Sequence, residues 1–162
     1  MTETEMVLEM LKMQEALDKS VIEEKNVNPT LIQRRVALMD EVGELIHELK
    51  SDWCWWKDSQ EPINWQRVLE ELVDVWHFAL GIEIVKQTIS RAFMNVYIQA
   101  VERQYTLGEV NVYKLLTGIK FSYVCIGDIF IITWALGFTI EQVFEEYKHK
   151  NQINYERLAN GY

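Results

Sequence analysis

The chain has 162 residues, 49% of them hydrophobic and 12% aromatic, which is enough to bury one sizeable core and fits a single domain over 1–162. Its 16 basic and 25 acidic residues leave a formal charge of −9, which argues against binding along a nucleic acid backbone, where affinity comes from clustered Lys and Arg. Partners are then expected among cations, proteins and small molecules.

Cys54 and Cys125 stand far apart and outside any Cys-x-x-Cys pair, so neither a disulfide framework nor a zinc site is suggested. The opening stretch Met1 to Met6 is acidic where a signal peptide would be basic. No apolar run reaches the roughly 20 residues of a membrane span. The expectation is a cytoplasmic protein with no membrane partner.

Only two prolines and seven glycines occur, and apolar residues recur at spacings of three and four, the helical period. The reading is all-α. Thr2-x-x-Glu5 has capping-box spacing and opens a helix to about Glu24, with Val7, Met10, Leu11, Leu17 and Val21 as its apolar stripe. Asn26 to Pro29 ends it. Thr30-x-x-Gln33 opens a second helix, which ends near Lys50. A tryptophan-rich loop, Ser51 to Asn64, leads to a third helix from about Trp65 to Lys86.

From Thr88 to Tyr105 the pattern is helical but less regular, and Thr106-x-x-Glu109 reads as a fresh start. The apolar stretch Val124 to Phe138 is short for a span and is interrupted by Asp128, which suggests a buried helix in which Asp128 needs a partner. Thr139-x-x-Gln142 starts a final helix that runs into the C-terminal string.

Chemistry is suggested by two acidic motifs. At about 100° per residue, Glu41, Glu44 and Glu48 share one edge of the second helix beside the Leu38, Val42, Leu45, Leu49 stripe. Glu71 and Asp74 pair in the same way on the third. If the two helices pack antiparallel, four carboxylates converge at a partly buried seam. Such an array is costly without a cation, and hard oxygen donors select Mg²⁺ or Mn²⁺. Phosphoanhydride hydrolysis is the reaction class that fits, with Lys57, Lys150 and Arg157 available for phosphates. The same motifs also suit plain solvated helix faces. His77 reads equally as a site residue or a satisfied core histidine, and Trp53, Trp55 and Trp56 as a base-pocket wall or a plug over the helix ends.

Four segments taken in order resemble the dimeric all-α dUTPase family, a branch of the all-α NTP pyrophosphohydrolases that includes MazG-like proteins. They are Met13 to Asp18, Ala37 to Leu45 with Glu41 and Glu44, Glu70 to Phe78 with Glu71 and Asp74, and Lys150-Asn151-x-x-Asn154-x-x-Arg157-x-x-x-Gly161-Tyr162. The acidic motifs fit the whole superfamily, whereas the C-terminal string resembles the dUTPase branch in particular.

The resemblance implies that Glu41, Glu44, Glu71 and Asp74 bind Mg²⁺, and that a metal-activated water, with Glu41 and Glu44 catalytic, converts dUTP to dUMP and pyrophosphate. It also implies acceptance of dUDP and a homodimer. Gln14 and Asn154 then match uracil and nucleoside contacts, since amides pair with carbonyl and N–H groups alike. Trp56 and His77 complete that pocket, and Lys57, Lys150, Arg157 and Tyr162 meet phosphate and sugar. The segment Trp53 to Lys57 is richer in tryptophan than the family pattern, and Thr88 to Tyr123 carries no matching motif. Two alternatives stand beside this reading: a MazG-like or dCTP-type pyrophosphohydrolase, and a non-catalytic helical interaction module.

Overall fold

Three threonines start three of the long helices. In the computed structural model, which describes residues 1–108, 110–118 and 126–161, Thr2, Thr30 and Thr139 each accept the backbone N–H three residues on, and Glu5, Gln33 and Gln142 reach back to the cap N–H. Each reciprocal cap satisfies two otherwise open donors and contributes about 1 kcal/mol. The helices they open are α1 (Glu3–Lys25), α2 (Leu31–Glu48) and, at the far end of the chain, α8 (Ile140–Ala159). Asn26 turns α1 off in the left-handed region at φ 50.

The chain does not become loop at Ser51. After a break at Leu49 it forms a short helix α3 (Lys50–Trp53). The cause is local anchoring: Leu49 is buried, and Trp53 donates its indole N–H at 2.8 Å to the Ile46 carbonyl, which also accepts from the Leu49 N–H at the end of α2. Helix α4 (Trp65–Lys86) follows, capped by Asn64, whose side-chain oxygen accepts from the N–H groups of Gln66 and Arg67. Buried Glu83 closes the far end of α4 by accepting from the Ile89 N–H at 2.7 Å and from the Thr88 hydroxyl.

Beyond a 3₁₀ turn at Arg91–Phe93 come α5 (Met94–Leu107), α6 (Val112–Gly118) and α7 (Ile126–Ala135). Thr106 is not a fresh start. It lies inside α5 and donates its hydroxyl back to the Arg103 carbonyl at 3.0 Å, the local back-bonding that competes with capping. Asn111 serves instead, accepting from the Lys114 N–H at 3.0 Å at the start of α6. Glu109 lies outside the described residues.

Helix α4 is the axis of the packing. It lies against α2, α1, α8 and α7, while α1 also packs on α8. The pairing of α2 with α4 is antiparallel: Glu48 meets Arg67 at 3.1 Å, Glu41 faces Asp74, and Arg34 lies against Gly81. Leu38, Val42, Leu45, Val68, Leu72 and Val75 are at most 1% exposed on the apolar stripes of these two helices, and each buried side chain of this size contributes roughly 1.5–3 kcal/mol.

Trp76 donates its indole N–H to the Thr133 hydroxyl at 3.0 Å and meets Phe130 edge-on at 5.0 Å, which ties α4 to the buried helix α7. Gly127 admits α5, since a Cβ there would stand 2.6 Å from the Tyr97 hydroxyl oxygen. Half-buried Asp128 has a partner. Among the described residues no single helix is long and apolar enough to cross a membrane.

Candidate active site

Packing α1, α2, α4 and α8 together leaves a cavity of about 540 Å³, within the usual range for a small-molecule site. Gln14, Glu41, Asp74, His77, Lys150, Asn154 and Arg157, which are seven of the residues singled out above, line it. They come from four segments of the chain, and the antiparallel α2–α4 seam is what brings the acidic ones together.

Oxygens of Glu41, Glu44 and Glu71 all lie within 4.8 Å of one another. Glu41 and Glu71 are half-buried and Glu44 is exposed. Burial pushes the Glu41 carboxyl up to about 7, and the neighbouring Asp74, Glu44 and Glu71 carboxylates push the same way while Lys150 opposes them. Glu71 is raised by burial and by Asp74 and Glu44. Asp74 is raised by burial in spite of the Lys150 and Arg157 charges beside it. The cluster therefore holds repelling, poorly hydrated charge, the condition that a divalent cation relieves.

Asp74 is engaged differently from its three neighbours. Its Oδ2 accepts from the Lys150 ammonium, and both side chains are less than a quarter exposed. Glu48 stays out of the cluster, held by Arg67. Asn154 and Arg157 are carried on α8 about one and about two turns beyond Lys150, so the C-terminal string from Lys150 to Leu158 is helix and not a loose tail.

The second group of site residues is buried. Gln14 is 6% exposed and donates from Nε2 to Asp18 Oδ1 at 2.6 Å. Its Oε1 accepts from the Tyr147 hydroxyl and lies 2.7 Å from His77 Nδ1. The His77 ring stacks on Tyr147 with centroids 3.8 Å apart and planes 13° from parallel. Burial, with Lys150 adding to it, holds the imidazole down to about 3, so it is neutral. Burial pushes the Tyr147 phenol upward, so it keeps its proton and donates. His77 is thus neither plain core nor plain ligand: one face stacks, one nitrogen bonds Gln14, and buried Nε2 has no partner.

Two of the expected site residues fall elsewhere. Trp56 is 57% exposed and packs on Trp53 and Trp55, and Lys57 is exposed beside it; neither lines the cavity. Trp53, anchored to Ile46, is the plug of the three, while Trp55 is 88% exposed. Tyr162 lies outside the described residues. Sequence reasoning missed Asp18 as an anchor, Arg34, and the role of Tyr147. Asp18 was within reach, standing one helical turn after Gln14, where an i, i+4 amide–carboxylate pair forms. Nothing local marks Arg34, whose guanidinium meets Asp18 only because α1, α2 and α4 converge at Gly81.

No curated protein matches the chain. The family model for dUTPase matches residues 6–162, which spans both acidic motifs, Gln14 and the C-terminal string. The chain therefore belongs to the dUTPase family and is a dUTP diphosphatase, a hydrolase.

Proposed function

We propose that the chain hydrolyses dUTP to dUMP and pyrophosphate with Mg²⁺ held by Glu41, Glu44, Glu71 and Asp74, and that it takes dUDP as well. The observation that carries this reading is the convergence of three carboxylate oxygens within 4.8 Å at the edge of a cavity also lined by a buried amide. The donor set is all hard oxygen and is destabilised by its own charge, so it fits Mg²⁺, and Mn²⁺ meets the same donors. When bound, the ion withdraws charge from phosphate oxygens and makes a water acidic enough to attack phosphorus.

The protein's own groups supply the rest. Glu41 and Glu44, which would hold the ion, would also accept hydrogen bonds from the attacking water and orient it. Lys150, which bonds Asp74, would be free to meet the phosphate chain if an ion took its place there, and Arg157 stands about two turns further along the same helix. Asn154, on the same helix and lining the same cavity, offers an amide to the nucleoside. We also propose a homodimer, from the family resemblance, which sedimentation analysis measures directly.

The test is turnover of dUTP, dUDP, dCTP, dTTP and UTP by the purified protein with and without Mg²⁺. The expected result is dUMP with pyrophosphate from dUTP, dUMP with phosphate from dUDP, and loss of both in chelator. Equal turnover in chelator would remove the metal from the reading, and preference for dCTP would replace the substrate.

A further inference from the structure

The direction in which the Gln14 amide points is decided by other side chains. Asp18 is held by Arg34 and acts as an acceptor, so the Gln14 atom 2.6 Å from it must be the amide nitrogen. The Gln14 oxygen then faces Tyr147 and His77, and both must donate to it. His77 consequently carries its proton on Nδ1, which leaves Nε2 with a lone pair only. That nitrogen is buried and unpartnered, and the ring lines the cavity at 4% exposure. Gln14 is left with one uncommitted N–H. Gly81 lets Arg34 and Asp18 approach α4 closely: a Cβ there would meet them at 3.1 and 3.4 Å.

We propose that Asp18 and Arg34 set base selectivity as positioning residues: they pin the Gln14 amide, the amide fixes the His77 tautomer, and the pair presents one donor and one acceptor. That pattern complements a pyrimidine with a carbonyl beside a ring N–H, as in uracil. Cytosine carries the reverse, a bare ring nitrogen beside an amino group, and would set lone pair against lone pair and N–H against N–H. Neither Asp18 nor Arg34 need touch the base. The proposal rests on the dUTP reading for its substrate but not for its mechanism.

The variant that reverses the device is Asp18→Asn, because an Asn side chain of the same shape can donate as well as accept and so frees the Gln14 amide to turn over. The expected result is at least a tenfold fall in the ratio of kcat/KM for dUTP over dCTP, carried mainly by a higher KM for dUTP. A site built on hydrogen bonding discriminates by up to about 10⁴–10⁵-fold, which leaves ample range. Arg34→Lys keeps the ion pair and is expected to keep the ratio within about threefold. A folded Asp18→Asn with the wild-type ratio overturns the proposal, as does a folded Arg34→Ala that keeps that ratio.

The unmodified site gives an independent reading through nitrogen-15 NMR of the histidine rings, with His47→Gln and His149→Gln used to assign His77. A neutral ring with its proton on Nδ1 upholds the proposal, and a proton on Nε2 overturns it, whether or not Asp18→Asn folds. Failure of wild-type protein to hydrolyse dUTP would refute the substrate reading, and the ring spectrum would still judge the pinned amide.

Discussion

Two groups of polar side chains meet at the same cavity, one through Glu41 and the other through Gln14, Asp18, Arg34 and His77, and are held in opposite ways. Glu41, Glu44 and Glu71 bring like charges to within 4.8 Å, and burial and mutual repulsion push Glu41 and Glu71 upward. Gln14, Asp18, Arg34, His77 and Tyr147 are more deeply buried, yet most of their donors and acceptors are matched. On the proposed function the first group is stabilised from outside, by a cation. The second is stabilised from within, because an unpaired buried polar atom costs about 1–3 kcal/mol and each partner here prevents one such loss. The proposed function thus divides chemistry and selectivity between a site that waits for its ligand and one that is already arranged.

The most severe way to break this division is at the acidic group. Glu44→Gln and Asp74→Asn each remove charge while keeping volume, and each is expected to lower kcat by at least about 100-fold, since even disturbing a partner behind a metal ligand costs 10–100-fold. Pyrophosphate release measures it, and helical circular dichroism should be unchanged. Wild-type rates would place the ion elsewhere.

At the buried group the effect moves from rate to stability. Gln14→Ala strands the Tyr147 hydroxyl and His77 Nδ1 together, so a loss of about 2–4 kcal/mol is expected in denaturant unfolding. Glu41→Gln should do the reverse and raise the stability of the metal-free protein. A midpoint unaffected by Gln14→Ala would mean that the amide network does not hold the helices together.

The smallest effect concerns pH. The Glu41 carboxyl is raised from 4.5 to about 7 in the fold, so the folded state binds its proton more tightly than the unfolded chain does. Its contribution is present at low pH and is lost as pH rises through about 7. Metal-free protein should therefore gain stability between pH 8 and pH 5, by about 1 kcal/mol once solvent screening of a half-exposed group is allowed for. In a domain of this size that is roughly 2–4 °C. Comparing melting curves of the wild type and Glu41→Gln across that range isolates the term, and Mg²⁺ should stabilise more at pH 8 than at pH 5. Identical pH profiles for the two proteins would reject it.

Much of the framework was legible because it depends on neighbours in sequence. The capping pairs Thr2 with Glu5, Thr30 with Gln33 and Thr139 with Gln142 start helices where their spacing says they should, and the apolar stripes of α2 and α4 face inward as their period requires. The same spacing misled at Thr106, where a hydroxyl inside a helix had a nearer carbonyl to bond. It also left the tryptophan loop open between two readings, since partial burial of Trp53 and exposure of Trp55 are decided by what the loop lands on.

What the sequence determined by itself is therefore the long helices α1, α2, α4 and α8, the edge on which each carboxylate stands and, through four short segments, the family. Only the tertiary structure decided that Lys150 holds Asp74, that Arg34 holds Asp18, and that Tyr147, 133 residues away, helps to choose which end of the Gln14 amide faces the cavity. Periodicity places a side chain on a face of its own helix. Its hydrogen-bond partner is chosen by which other faces pack against it, and that is a property of the fold.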